Sequence, residues 1–68
     1  MGECWYEIRI GGLLGETLLA AFPALRAHAQ GAVTVLTGPL ADQAALHGVL
    51  AQIEALGLEL LEVRRLTP

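Results

Sequence analysis

The sequence predicts a small α+β domain of the ferredoxin-like type, a sandwich in which a four-stranded antiparallel sheet carries two helices on one face. Three observations predict it: segments in which apolar and polar residues alternate, one strongly amphipathic helical segment, and a β-α-β-β-α-β order of these segments. The first and third strands are expected at the centre of the sheet. The chain length assigns residues 1–68 to a single small domain, and a domain of this size buries only about 60% of its unfolded surface.

The first half of the chain supplies two strands and a short helix. Residues 4–10 alternate between apolar and polar side chains, which is typical of a half-buried strand. A short helix is expected around residues 14–22, and Pro23 ends it, because the residue before a proline is displaced from helical geometry. Residues 25–30 alternate again and predict the second strand.

A hairpin is predicted next. Gln30 and Gly31 can form its tight turn, because glycine adopts positive φ without steric cost. The strand that follows, residues 33–37, is rich in β-branched side chains, and Val33 and Val35 are expected to face the core.

The strongest pattern in the chain is the helix that starts at Asp42. A carboxylate at this position can accept hydrogen bonds from free backbone N–H groups, and Gly57 can end the helix in a left-handed conformation. The apolar residues between them recur at the spacing of one buried stripe: Ala45, Leu46, Val49, Leu50, Ile53 and Leu56. Residues 60–66 then predict the last strand, with Leu61 and Val63 directed inward.

The composition favours a protein partner. Hydrophobic residues make up 54% of the chain and charged residues 16%, so a domain of this size is expected to leave apolar surface exposed. A homo-oligomer, most simply a dimer, is the expected assembly, and another protein is the second possibility. The net charge is −3 and the four cations, all arginine, form no basic run, so no nucleic-acid partner is expected.

Cysteine content and hydropathy indicate the expected cellular compartment. Cys4 is the only cysteine, so neither a disulfide framework nor a cysteine-based metal site is expected, and a reducing cytoplasm is the expected location. The N-terminal residues lack the basic-then-apolar profile of a signal peptide. No apolar run reaches the roughly 18–20 residues that a membrane helix needs, so no membrane partner is expected. No motif indicates a cofactor.

The side of the predicted sheet away from the helices is the main candidate surface. Its expected members are Trp5, Glu7, Arg9, Arg26, His28, Gln30, Thr34, Leu36, Leu60, Glu62 and Arg64. We interpret this face, or a strand edge, as the contact with a second copy, because tryptophan and arginine are enriched among interface anchors. The residues assigned to that interface are Trp5, Arg9, His28, Leu36, Leu60 and Arg64. A solvated sheet surface is the alternative.

A small enzyme or ligand-binding protein is the alternative function. In a dimeric α+β barrel two sheets face each other and enclose a pocket, which His28, Trp5 and Arg9 would line, with the imidazole as the acid–base group. On the main helix, His47 and Gln43 are weaker ligand-binding candidates, because no His-x-x-x-His or Glu-x-x-His spacing accompanies them. No catalytic or metal-binding residue is assigned.

Glycines precede both predicted helices. Gly11-Gly12 and Gly38-Pro39 each lead from a strand toward a helix N-terminus, where free N–H groups can hold an anion. Neither segment matches a P-loop or a dinucleotide fingerprint, and a turn-forming role is preferred. Gly48 lies inside the main helix at a cost of about 0.5–1 kcal/mol relative to alanine, so a close neighbour is expected there.

Three short segments occur together: YEIR at residues 6–9, GPLADQAALHG at residues 38–48 and LGL at residues 56–58. In this combination the chain resembles a group of small, uncharacterised bacterial proteins that are common in actinomycetes. The absence of lysine and the abundance of alanine, leucine, glycine and arginine agree with a GC-rich genome. The resemblance covers most of the chain. It implies a fold and a source but no activity, since none is assigned to the group.

Overall fold

A computed structural model describes residues 4–66 of the chain. Its elements are β1 (Cys4–Gly11), α1 (Glu16–Leu19), β2 (Arg26–Gln30), β3 (Val33–Leu40), α2 (Gln43–Ala55) and β4 (Leu60–Arg65). The strands form an antiparallel sheet in the order β2-β3-β1-β4. The predicted α+β class, with a four-stranded antiparallel sheet and two helices, is confirmed, and the inner strands are the first and the third.

The first helix is shorter than predicted. The helix expected around residues 14–22 is reduced to Glu16–Leu19. Gly12, with a φ of 90°, precedes it and Pro23 follows it closely, so few residues between them can take helical geometry. The segment still contributes to the core through Phe22, which is 3% exposed.

The core lies between one face of the sheet and the helices. Its buried residues are Tyr6, Ile8, Ile10, Phe22, Leu36, Leu40, Leu46 and Ile53. Ile8 and Ile10 are completely buried, as the alternation of β1 predicts. Burial of such a side chain contributes about 1.5–3 kcal/mol, so this cluster is a main source of stability. We call the sheet face that contacts the cluster the inner face, and the opposite face the outer face.

The predicted facing of β3 is wrong. Val33 and Val35 do not face the core; instead Leu36 lies opposite Ile8 and therefore shares the inner face with it. Thr34 lies opposite Ile10 in the same way, so the outward positions predicted for Leu36 and Thr34 are wrong.

A buried hydroxyl group explains why alternation misplaces this strand. The Thr34 Oγ1 atom accepts a 3.1 Å hydrogen bond from the Leu14 N–H and donates a 2.8 Å bond to the Gly12 carbonyl. These bonds tie the segment after β1 to the inner side of β3. A threonine with its hydroxyl satisfied can occupy a core position, but its polarity indicates an outward position when the sequence is considered alone.

Strand β3 also extends farther than predicted, because it includes Gly38 and Pro39. This pair is therefore not a loop before a helix N-terminus. Gly38 lies opposite Tyr6, and a Cβ atom at this position would lie 2.7 Å from the Ala24 carbonyl oxygen. Pro39 lies beyond Thr37, where the pairing of β3 with β2 ends, so its missing N–H costs no hydrogen bond to that strand.

Helix α2 begins and ends as predicted. The Asp42 carboxylate accepts a 2.8 Å hydrogen bond from the Ala45 N–H. At the other end Gly57 has a φ of 74°, and the Leu58 N–H donates a 3.1 Å bond to the Ile53 carbonyl. This bond is the six-to-one contact of a Schellman motif, which satisfies carbonyl groups at the helix end.

The buried stripe of α2 is narrower than predicted. Leu46 and Ile53 are buried, but Leu56 is 41% exposed. Gly48 is exposed, and within residues 4–66 no atom outside its local helix lies within 4 Å of the position that a Cβ would take. The close neighbour expected at Gly48 is therefore not supplied by this part of the chain.

An irregularity changes the facing of β4. Arg9 lies opposite Glu62, and the register then shifts so that Ile10 lies opposite Leu60. Leu61 has no partner on β1 in this register, which makes it the extra residue of a β-bulge. Because Ile10 belongs to the inner face, Leu60 lies on the inner side, and its predicted outward position is wrong.

Candidate functional site

The outer face of the sheet carries charges that pair with one another. The Arg9 guanidinium lies 2.9 Å from a carboxylate oxygen of Glu7 and 3.7 Å from one of Glu62, while Arg64 lies 3.1 Å from Glu62. Arg9 also donates a 2.7 Å hydrogen bond to Gln30 Oε1. These side chains are partly exposed, and such ion pairs contribute about 0–1 kcal/mol each. Their main consequence is that these five side chains are already engaged within one chain.

Arg9 also covers an apolar residue of the outer face. Val35 lies opposite Arg9 on one side and opposite His28 on the other. Val35 is 1% exposed although it does not belong to the core cluster. Because β3 lies between β1 and β2, the bond from Arg9 to Gln30 crosses β3 and places the arginine stem over the valine.

The structure separates the residues that were predicted to form an interface. Leu36 lies in the core, so that assignment is wrong for the same reason as the facing of β3. Leu60 lies on the inner side of β4. The remaining members stay on the outer face: Trp5, Arg9, His28 and Arg64.

Exposed apolar side chains gather along β4. Leu60, Leu61 and Val63 are 42%, 48% and 36% exposed, and Leu66, just after the strand, is 43% exposed. Strand β4 pairs with β1, and its other edge has no strand neighbour within residues 4–66. We call these four residues together with the free edge of β4 the β4 surface.

A groove separates β4 from α2. Its volume is about 690 Å³, and its walls include Leu50 and Leu58 from the helix side and Leu60 from the strand. Polar groups enter it from His47 and Glu54. Leu60 and Val63 lie on the inner side of β4 and are 42% and 36% exposed, so the helices leave this side of the strand poorly covered.

The candidate ligand-binding residues do not form one site. His28 lies on the outer face opposite Val35, whereas His47 lines the groove on the inner side of the sheet. Gln43 is the first residue of α2 and does not line that groove. In the part of the chain that the structure describes, the His, Cys, Asp and Glu side chains form no group of three that could hold a metal ion. None of the helices between residues 4 and 66 has the length and apolar character needed to cross a membrane.

Sequence reasoning placed β4 at an edge of the sheet, because it put the first and third strands at the centre, but it missed the groove. Periodicity assigns residues to faces, but it does not reveal where a helix lies across a sheet. One signal was available: Leu60 and Leu61 are adjacent apolar residues at the start of a strand, and regular alternation cannot bury both on one face.

Comparison with known proteins assigns the chain to one family. A family model described as "Domain of unknown function (DUF8691)" matches residues 5–64, a span that includes nearly all of the sheet and both helices. No curated protein and no solved structure matches the chain. These comparisons supply no activity, ligand or partner.

Proposed function

The chain belongs to the family of the domain of unknown function DUF8691, and we propose that it is a non-enzymatic interaction module that self-associates through its β4 surface. A second copy of the chain is the proposed partner. A dimer is the simplest closed assembly that an interface between identical chains can form.

The observation that carries this proposal is the clustering of exposed apolar side chains along β4. Leu60, Leu61, Val63 and Leu66 lie on or directly after this strand, and Leu66 is joined to the exposed Trp5 by a 2.8 Å backbone hydrogen bond. Exposed apolar side chains that gather at one edge of a small domain favour an interface at that edge. A free strand edge in addition offers backbone groups to a second strand.

The outer face is less suited to the contact. Two sheets packed face to face would bury Arg9, Glu7 and Glu62, whose ion pairs are already formed within one chain. Removing charges from water carries a desolvation cost that such pairs do not readily repay. The alternative function, a ligand-binding protein or enzyme with a pocket between facing sheets, requires that burial. Association through the edge of β4 leaves the outer face in solvent.

We also propose that the fold is a reduced form of the ferredoxin-like arrangement. The β-α-β-β-α-β order and the inner position of β1 and β3 support this assignment, and the four-residue α1 is the departure from it. NMR contacts that link β1 to both β3 and β4 would be expected, and a β1 strand with one of these neighbours missing would contradict the assignment. A fold of this kind does not by itself imply an activity.

Native mass tests the proposed self-association. Light scattering behind a sizing column, at two protein concentrations, should give at least a dimer at the higher concentration. Leu60→Gln should shift the protein toward the monomer, because it places a polar side chain in the proposed contact. Leu13→Gln is the matched control, since Leu13 is 63% exposed and lies on the β2 side of the sheet. A wild-type monomer at both concentrations, or equal effects of the two substitutions, would overturn the proposal.

A further inference from the structure

We infer that two copies of the chain pair through β4 as antiparallel strands, with Val63 on the twofold axis and Glu62 of each copy opposite Arg64 of the other. The inference rests on the proposed self-association and specifies its geometry. The pairing would join the sheets of both copies into one continuous sheet, with the helices of both copies on the same side.

The backbone groups of Val63 face the edge of β4 that such pairing would use. The Leu66 N–H donates a 2.8 Å hydrogen bond to the Trp5 carbonyl, so Leu66 directs its backbone groups toward β1. Successive residues of a strand direct these groups to opposite edges. The backbone N–H and C=O groups of Arg64 therefore point toward β1, and those of Val63 and Arg65 point away from it. Val63 can therefore exchange two N–H···O=C bonds with its own copy at the free edge.

Symmetry limits the registers that are possible. A twofold axis that brings two copies of one edge strand into an antiparallel pair runs perpendicular to the sheet, so the outer faces of both copies lie on the same side. Directly opposed residues of antiparallel strands share a face. Each permitted register is therefore centred on one residue, which lies opposite its own copy.

Charge selects among these registers. Centring the pair on Glu62 places two carboxylates opposite each other, and centring it on Arg64 or Arg65 places two guanidinium groups opposite each other. Centring it on Val63 produces neither repulsion and places Glu62 opposite Arg64 twice, once on each side of the axis. Opposite charges stabilise a strand pair and like charges destabilise it, so the register centred on Val63 is favoured.

The side chains are placed for this register. Glu62 and Arg64 both lie on the outer face, where their side chains are 44% and 57% exposed. In the proposed pair they occupy the positions without mutual backbone bonds, where opposed side chains approach most closely. Val63 lies opposite the core residue Ile8 and is 36% exposed, so pairing would cover its apolar surface with the same residue of the second copy.

The other edge of the sheet lacks these features. On β2 the inner-face residues are Ala27 and Ala29, and the five residues of the strand are exposed without a large apolar side chain among them. A register centred on His28 would place an arginine opposite a glutamine. This edge offers neither opposite charges nor apolar area, so self-pairing is assigned to β4.

Disulfide trapping tests the register. In a Cys4→Ser background, Val63→Cys should form a covalent dimer under mild oxidation, because Cα atoms opposed on the axis lie within the roughly 4.4–6.8 Å that a disulfide spans. Arg65→Cys is the matched control, since Arg65 is exposed on the same face of the same strand. In the proposed register the cysteines at position 65 of the two chains would be separated by roughly 13 Å along the strands, so this variant should stay uncrosslinked.

Charge reversal gives a second test that needs no new cysteine. Glu62→Arg would convert both cross-axis pairs into repulsive ones, and the dissociation constant of the dimer should rise about tenfold. Adding Arg64→Glu to Glu62→Arg restores opposite charges across the axis and should recover most of the affinity. Circular dichroism checks that each variant is folded, because ion pairs within the chain also change.

The outcomes separate the two proposals. A dimer that crosslinks through Val63→Cys and not through Arg65→Cys, and that recovers in the double charge variant, supports the register. A dimer that fails to crosslink through Val63→Cys overturns the register and leaves self-association standing. A wild-type protein that stays monomeric overturns both.

Discussion

Arg9 on β1 donates a 2.7 Å hydrogen bond to Gln30 on β2, although β3 lies between these strands. The bond holds the arginine over Val35, which is 1% exposed on the sheet face opposite the helices. One long charged side chain thus takes the place of a second layer at this point of the outer face.

Arg9→Ala should lower the free energy of unfolding by about 1–2 kcal/mol, because it exposes Val35 and removes the stem that covers it. Arg9→Met is the matched variant, since it retains an apolar cover without the guanidinium. Arg9→Met should lower the free energy of unfolding by less than half as much as Arg9→Ala, because the exposed ion pairs contribute little. Urea unfolding of both variants measures the difference, and equal losses would show that the charge, rather than the cover, stabilises the domain.

Gly38→Ala should destabilise the domain by about 1–3 kcal/mol, the usual cost of forcing extra volume into a packed site. The added Cβ would lie 2.7 Å from the Ala24 carbonyl oxygen, and a backbone atom cannot move aside as a flexible side chain can. Thermal and urea unfolding should both show the loss. An unchanged stability would mean that the segment before β2 is not held against β3.

Gly48→Ala should have the opposite effect. Gly48 is exposed in the interior of α2, and a Cβ at that position meets nothing within 4 Å in the part of the chain that the structure describes. Alanine should stabilise the helix by about 0.5–1 kcal/mol, because it restricts the unfolded chain without a steric cost. Urea unfolding at low protein concentration checks this for the monomer. If stability falls instead, a neighbour approaches Gly48 in the folded protein.

Asp42→Ala should lower the free energy of unfolding by about 1 kcal/mol, the typical contribution of a helix N-cap. The carboxylate accepts the Ala45 N–H at 2.8 Å, and alanine leaves that donor without its acceptor. Asp42→Asn keeps an oxygen acceptor and should lower the free energy of unfolding distinctly less than Asp42→Ala does. The two variants are compared by urea unfolding, and a loss with asparagine as large as that with alanine would assign the effect to charge.

The elements that the sequence predicts well are those set by local chemistry. Asp42 and Gly57 mark the ends of α2 because capping depends on residues a few positions apart. Gly31, with a φ of 63°, forms the hairpin turn for the same reason. The inward positions of β1 were also predictable, since Ile8 and Ile10 alternate with charged neighbours.

The errors arise where the facing of a residue depends on distant partners. Thr34 can be buried because Gly12 and Leu14 satisfy its hydroxyl, and Val35 can lie on the outer face at 1% exposure because the Arg9 side chain crosses β3 beside it. Neither relation leaves a mark in the local alternation of β3. The candidate site was even less predictable, because it depends on the bulge at Leu61 and on how much of the inner side of β4 the helices leave exposed.

The position of β1 has a consequence for the order of folding. This strand pairs on one side with β3 and on the other with β4, and Tyr6 lies opposite Arg65. Such distant pairings slow folding, whereas the β2–β3 hairpin and α2 can form from nearby residues. During synthesis, which proceeds from the N-terminus, one edge of β1 stays open until β4 has been made. Until then Ile8 and Ile10 lack a neighbour on that side, and the open edge is where an incomplete chain would pair with another chain.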